Sequence, residues 1–339
     1  MAKTWREWEK PVLELEDVIQ KLKQALPTAS PEQAAQIEHE IERAERAREN
    51  YLRIKYSRLG AWERTLISRA EGRPYTLDYI RAIVSDWVEL HGDRRFGDDK
   101  AIIGGLGKIG ETSCVIVGHQ KGRDLKERKL RNFGMAKPEG YRKAIRLFDM
   151  ADRFQLPVVA FIDTPAADPG VESESRGISE AIAAGMMKMF SLRVPAVAVV
   201  IGEGGSGGAI GIGAANRVLM LEHSIYSVIP PEGCAAILWR NADAGPQAAA
   251  ALKLTAQDAL ELGLIDEIIP EAFGGAHRGP AETAQNVEQA ITRHINGLAS
   301  MSGEQLKLDR RTKYRNMGVF AVHGGSESLP FSTAPAQSS

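Results

Sequence analysis

The chain has 339 residues, with 43 Lys+Arg against 44 Asp+Glu and a formal net charge of −1. A near-neutral balance leaves no global field to attract nucleic acid or a membrane, and 43% hydrophobic with 26% charged residues is an ordinary globular composition. No stretch reaches the roughly 20 apolar residues that span a bilayer, and the start lacks a secretory apolar core. The only cysteines, Cys114 and Cys234, lack metal-ligand spacing, which suggests a reducing cytoplasm and no metal.

In chain order, Val12, Leu13, Leu15, Val18, Ile19 and Leu22 recur at helical spacing. Pro27 breaks this helix, Ser30-Pro31-Glu32 looks like a new start, and a long charged helix is predicted to about Leu59. Its sparse apolar positions (Ile37, Ile41, Ala44, Leu52, Ile54) predict an exposed or partner-packed hairpin. A further helical pattern runs from Tyr75 to Leu90, so residues 1–90 read as a helical extension. After His91-Gly92-Asp93, residues 101–109 and 113–119 suggest a strand pair. A helix over 139–154, a buried strand over 156–162, a helix over 174–191 and a strand over 196–201 follow. Such alternation indicates α/β layering, with ligands at the strand C-termini. A main domain over 91–300, a helical segment over 301–323 and a disordered Gly/Ser/Pro/Ala tail over 324–339 complete the reading.

The strongest chemical feature is Gly202-Glu203-Gly204-Gly205-Ser206-Gly207-Gly208-Ala209, after the strand. It contains G-x-G-x-x-G at Gly202, Gly204 and Gly207, and Glu222 is spaced as a ribose carboxylate would be, so an NAD-dependent oxidoreductase is one reading. Against it, no regular βαβ repeats follow. A phosphate P-loop is excluded, because no Lys-Ser/Thr follows the glycines. The other use of such a turn is an oxyanion hole: glycines let backbone approach a ligand oxygen, and a helix start aims free N–H groups at it. Asp163-Thr164-Pro165-Ala166-Ala167-Asp168-Pro169-Gly170 is a rigid loop at the end of the preceding strand, placed to aim a second N–H at the same oxygen. Downstream, Leu254-Thr255-Ala256-Gln257-Asp258-Ala259 leads to Gly263-Leu264-Ile265-Asp266-Glu267-Ile268-Ile269, a capped helix, a glycine stop and a strand.

That last run resembles the signature of the crotonase superfamily. Ordered segments across roughly residues 70–280 resemble the carboxyltransferase alpha subunits of acetyl-CoA carboxylase: RPYTLDYI (73–80), GDDKAIIGG (97–105), GHQKGR (118–123), RNFGM (131–135) and PEGYRKAIRL (138–147). They continue with FIDTP (161–165), RGISEAIA (176–183), IGEGGSGGAIGIG (201–213), YSVIPPEGCAAILW (226–239) and IIPEAFGGAHR (268–278). The resemblance implies a crotonase-like α/β core. It also implies transfer of a carboxyl group from carboxybiotin, presented by a separate biotin carboxyl carrier protein, to acetyl-CoA, giving malonyl-CoA. It implies a zinc-ribbon beta subunit, a biotin carboxylase and an alpha2beta2 assembly; the neutral charge balance argues for neither membrane nor nucleic acid as a partner. By the same resemblance the amides of Gly207, Gly208 and Ala209 form the oxyanion hole. Gly204 and Gly205 shape the turn, and Ser206, Ala166, Ala167, Arg176 and Arg131 face substrate.

The resemblance breaks at Ala166-Ala167-Asp168, where the family reads Gly-Ala-Tyr, and at Glu172, Ile178 and Pro230. A non-catalytic assembly subunit of the same fold is therefore a further reading. In the loop, Asp168 either repels anionic ligands or pairs with a local base such as Arg176. A basic run (Lys121, Arg123, Lys126, Arg128, Lys129, Arg131, Lys137, Arg142, Lys143, Arg146) reads either as a solvated face or as an attractor of CoA phosphates, the carboxybiotin carboxylate or an acidic partner. His91, His119 and His223 read as structural.

Overall fold

The computed structural model describes residues 7–318. It begins with helices α1 (Lys10–Ala25) and α2 (Pro31–Tyr56). Ser30 starts α2 through a capping box: its hydroxyl accepts from Gln33 N, and the Gln33 side chain accepts from Ser30 N. Ile19, Ile41 and Ala44 are buried between the two helices, so part of the apolar surface of α2 is used within the hairpin, while Ile54 stays exposed. Next come α3 (Ala61–Ser68) and α4 (Thr76–Ile83).

The helix expected to reach Leu90 stops at Ile83. Residues 85–89 form an edge strand, β1 (Ser85–Glu89), antiparallel to β2 (Ile102–Ile109). The cause lies in the partner strand. A side chain at Gly105 would fall 2.1 Å from the Val88 carbonyl oxygen, so a glycine there lets β1 lie close. The expected pair of β2 with β3 (Thr112–His119) is present in continuous antiparallel register.

Then follow α5 (Leu125–Leu130), α6 (Pro138–Phe154), β4 (Val158–Thr164), α7 (Val171–Ser175), α8 (Ile178–Ser191), β5 (Ala196–Gly205) and α9 (Ser206–Gly213). The helix predicted over 174–191 is two, because Gly177 adopts φ 80° between α7 and α8. The chain continues with β6 (Arg217–Leu221), β7 (Ile225–Ser227), α10 (Pro231–Trp239), α11 (Gly245–Leu252), α12 (Ala256–Glu261), β8 (Glu267–Ile269), α13 (Pro280–Leu298) and α14 (Gly303–Arg315). The capped helix is α12, closed by Thr255 and Asp258. Residues 319–323 and the tail predicted over 324–339 lie outside the described residues.

The sheet order is β1-β2-β3-β4-β5-β6-β8, parallel from β3 onward, with β7 beside the end of β5. Every residue of β4 and β5 is buried, which is why these strands read as unbroken apolar runs. Residues of α6, α8 and α9 cover one face, including Tyr141, Phe148, Met189 and Ile212. Residues of α4 and α13 cover the other, including Tyr79, Ile80, Val287 and Ile291. Neighbouring parallel strands β4 and β5 therefore deliver their C-terminal loops to one edge of the sheet.

Candidate functional site

The glycine run divides differently from its sequence reading. Gly204 and Gly205 do not form the turn; they are the last residues of β5, pairing with Tyr226 and Ser227 of β7. The turn is made by Ser206, which takes φ 49°, a left-handed conformation that a non-glycine residue rarely adopts. Two glycines allow the loop after β4 to close on this turn. A Cβ on Gly205 would fall 2.0 Å from the Pro165 carbonyl oxygen, and one on Gly208 would fall 2.7 Å from both Ala166 C and Ala167 N. The two loops thus meet through bare backbone.

The amides sort by what they already bind. Ala166 N donates to Thr164 Oγ1 (3.2 Å), while that hydroxyl donates to Ala166 O (2.6 Å), so the Ala166 N–H is spent inside its own loop. Ala167 N donates to no acceptor among the described residues. Gly207 and Gly208 are the second and third residues of α9, where helical N–H groups lack a partner in their own helix. Ala209 is the fourth, where the helical ladder ordinarily begins. Tyr141 Oη, buried in α6, donates to Gly208 O (3.2 Å) and holds the first turn from below. A cavity of about 400 Å³ opens beside Ser206, Gly207, Ile210, Tyr226, Val228 and Tyr314.

Beneath these loops lies a chain of charges. Lys121 Nζ sits 2.7 Å from Asp163 Oδ1 and 2.8 Å from Glu203 Oε2. Glu203 Oε1 accepts from Arg69 Nε (2.7 Å), and Arg69 also binds Glu232 (2.5 Å). Asp163 Oδ1 accepts from Glu203 N (2.9 Å), tying the exit of β4 to that of β5. Burial would raise Glu203, yet the Lys121 and Arg69 charges hold it down at about 2. Burial likewise opposes the Lys121 charge, but Asp163 and Glu203 outweigh it and raise its pKa. Glu203 and Lys121 are thus fixed ions rather than proton-transfer groups. Sequence reasoning missed this network, although a charged Glu203 amid glycines and an Asp163 ending an apolar strand were signals of it. Burial first, then the nearby Lys121 charge, pushes His119 down to about 3, and burial pushes His223 down to about 4.

The family model "Acetyl co-enzyme A carboxylase carboxyltransferase-like" matches residues 5–318. Acetyl-coenzyme A carboxylase carboxyl transferase subunit alpha of Fusobacterium nucleatum is 50% identical over 314 residues, covering 93% of this chain and 99% of its own. The proteins of that name from Thermus thermophilus and Acaryochloris marina are 50% and 51% identical over 315 residues, covering 93% of this chain and 98% and 96% of theirs. The chain belongs to the acetyl-CoA carboxylase carboxyltransferase alpha-subunit family. The fold is crotonase-like. Transcarboxylase 12S aligns at TM-score 0.55 and 20% identity over 70% of this chain, which spans 45% of that one. A Pseudomonas malonate decarboxylase hetero-tetramer chain aligns at TM-score 0.55 and 16% identity, covering 70% of this chain and 95% of that one.

Within this family member, the two arginines expected near substrate both make intramolecular contacts. Arg131 Nε donates to Glu127 (2.9 Å) and its Nη1 to Lys100 O (3.0 Å). Arg176 Nε donates to the buried Glu139 (2.8 Å), and its guanidinium lies over the Phe96 ring. Of the two alternatives for Asp168, the pair with Arg176 does not form: Asp168 accepts from Ser173 Oγ (2.5 Å), and Ser173, Asn132 and the Lys137 charge hold its carboxyl low against burial. Much of the basic run is likewise paired, Arg123 with Asp78, Arg131 with Glu127 and Lys143 with Asp98. The NAD reading loses its geometry, because Gly202 is a strand residue packed on Asp163 rather than part of a phosphate-facing turn. Among the described residues no helix is long and apolar enough to cross a membrane, and no group of three or more His, Cys, Asp or Glu could hold a metal.

Proposed function

We propose that this chain is the alpha half of a two-chain, cytoplasmic carboxyltransferase that holds the carboxybiotin end of a shared site. A beta chain holds acetyl-CoA, and the carboxyl group passes to it to give malonyl-CoA, the first committed step of fatty acid synthesis. A biotin carboxylase would charge the biotin carboxyl carrier protein, and alpha2beta2 is the proposed assembly. The single observation that carries this reading is the backbone cradle where Ala166–Ala167 meets Gly207–Gly208, with its free Ala167 amide and α9 start. Carboxybiotin, when bound, brings the transferable carboxyl group and a ureido carbonyl oxygen.

The residues of this chain then have definable work. The N–H groups of Ala167, Gly207 and Gly208 hold an oxygen on which charge develops, with Ala209 completing the first turn, and the positive end of α9 favours that charge. Gly205 and Gly208 keep the approach open. Lys121, Asp163 and Glu203 fix the two strand exits, so the donors need little reorganisation when charge appears. Ser206 and the apolar wall of the 400 Å³ cavity are placed to shield the ligand from water.

A second chain has a place to dock. Val228, Ile237, Leu238 and Trp239 expose large apolar surface on and before α10, and Pro230, which caps that helix, lines a small cavity with Gly204 and Gly205. The purified chain alone should form no malonyl-CoA, whereas the chain mixed with its beta partner and carboxylated carrier should. Leu238→Glu with Trp239→Glu should abolish co-elution with the beta chain while leaving the isolated chain folded. Turnover by the alpha chain alone, or unchanged assembly by the double variant, would overturn the proposal.

A further inference from the structure

A groove of about 290 Å³ lies away from the glycine turn, between the loop after β1 and helices α6 and α8. Arg94, Arg95, Arg142 and Arg146 line it, with Asp93 and Glu180. We propose that this groove binds a phosphate-bearing anion of diphosphate size. The proposal goes beyond the carboxyltransferase reading, since none of these side chains takes part in that site.

The arrangement of Arg94 and Arg146 carries the argument. Arg94 Nη1 donates to His91 O (3.0 Å), and Arg146 Nη2 donates to the same oxygen (3.1 Å). Arg146 Nε takes the neighbouring Gly92 O (3.1 Å). Two guanidinium groups therefore converge on one carbonyl, and neither has a carboxylate within ion-pair distance among the described residues. Like charges brought together by neutral acceptors repel, and most of their N–H donors remain for a ligand. Arg94 reaches this place through a left-handed φ of 64°, a conformation that persists only when the surroundings impose it.

The local acids compensate only in part, Asp98 and Asp93 acting on Arg146 and the buried Asp93 Oδ2 making no hydrogen bond. Asp93 Oδ1 is occupied by the N–H groups of Arg95, Phe96 and Gly97. Asp149 at the groove pairs with Lys188 (2.7 Å), and Glu180, exposed, stands 3.6 Å from Arg142. Arg142 Nη2 donates to Arg176 O (2.7 Å), while its Nε is buried with no acceptor. The Arg95 guanidinium is exposed and makes no hydrogen bond or ion pair among the described residues. Burial, reinforced by the Arg94 charge, pulls Arg146 below its ordinary pKa against the opposing pull of Asp98 and Asp93. Planar guanidinium forks match phosphate oxygens in pairs, and several positive charges that the local acids only partly offset suit a multiply charged anion better than one carboxylate.

The probe is inorganic pyrophosphate, titrated calorimetrically into the full chain at constant ionic strength, with inorganic phosphate and adenosine 3′,5′-bisphosphate as parallel arms. The expected result is saturable one-to-one pyrophosphate binding with Kd below about 1 mM. Arg95→Gln and Arg146→Gln should each weaken it by about tenfold or more. Because the Arg95 side chain has no partner, Arg95→Gln tests the site without disturbing the fold; a thermal melt matching wild type confirms this. Lys108→Gln, at an exposed position of β2, is the control and should bind as wild type does. Tighter binding in the bisphosphate arm would identify a nucleotide source for the anion. Absence of saturation up to about 10 mM, or equal loss in the Lys108 control, overturns the proposal.

Discussion

Gly208→Ala tests whether the helix start and the loop after β4 form one device. The added methyl would fall 2.7 Å from Ala166 C and Ala167 N and 3.0 Å from Ala166 O, all backbone atoms that cannot rotate away. Reaching the 3.4 Å of ordinary contact requires the loop and helix to separate by about 0.7 Å. Overpacking of this kind costs roughly 1–3 kcal/mol of stability, which a domain of this size tolerates. Catalysis should suffer more: misplacing a positioned group by about 1 Å costs on the order of 10²-fold, and losing an oxyanion donor costs about 10²–10³. Gly207→Ala is the matched control, since its methyl would meet the Ile182 side chain at 3.4 Å (Cδ1) and 3.9 Å (Cγ2), both ordinary contacts. The assay is malonyl-CoA formation by the reconstituted alpha–beta complex with carboxylated carrier, beside thermal melts of both variants. Gly208→Ala should turn over about 10²-fold more slowly, with Gly207→Ala near wild type. Equal rates for two folded variants would refute the idea that loop and helix must touch here.

Further outcomes follow from the charge arrangement. Lys121→Met leaves Asp163 and Glu203 without their shared cation and should cost about 3–5 kcal/mol in urea unfolding. In wild type, Glu203 is depressed from 4.5 to about 2, so its contribution is present above the ordinary carboxylate value. It is lost as pH falls from about 4.5 toward 2. Unfolding free energy measured at pH 3 and pH 7 should show this loss, and the loss should shrink in Lys121→Met; equal values for both proteins would contradict it. Asp168→Ala should lower the melting temperature by freeing Ser173, without accelerating carboxyl transfer; a faster complex would show that Asp168 repels ligand. Arg176→Ala should destabilise the fold by stranding the buried Glu139, and Arg131→Ala should leave KM for carboxylated carrier unchanged; a raised KM with unchanged melting would return either residue to the site.

Local chemistry was readable from the sequence wherever its cause lies within a few residues. Ser30 and Gln33, or Thr255 and Asp258, cap helices because each reaches the other's backbone across one turn. The unbroken apolar runs at 158–162 and 196–201 mark strands buried on both faces, and ordered motifs along the chain carried the family resemblance. Other features were decided only when distant segments met. The stretch 85–89 is a strand rather than the end of a helix because Gly105 gives it a partner it can approach. Gly204 and Gly205 are strand rather than turn because β7 and Thr164 pair alongside them. Lys121, Asp163, Glu203 and Arg69 come from separate segments and form one network because parallel strands release their ends side by side. The carboxylate partners of Arg131 and Arg176 were likewise invisible in the sequence, which shows a charge without showing what it meets. A helix cap or a strand period is a short-range property, whereas the fate of a charge depends on which backbone and which opposite charge the fold brings within about 3 Å of it.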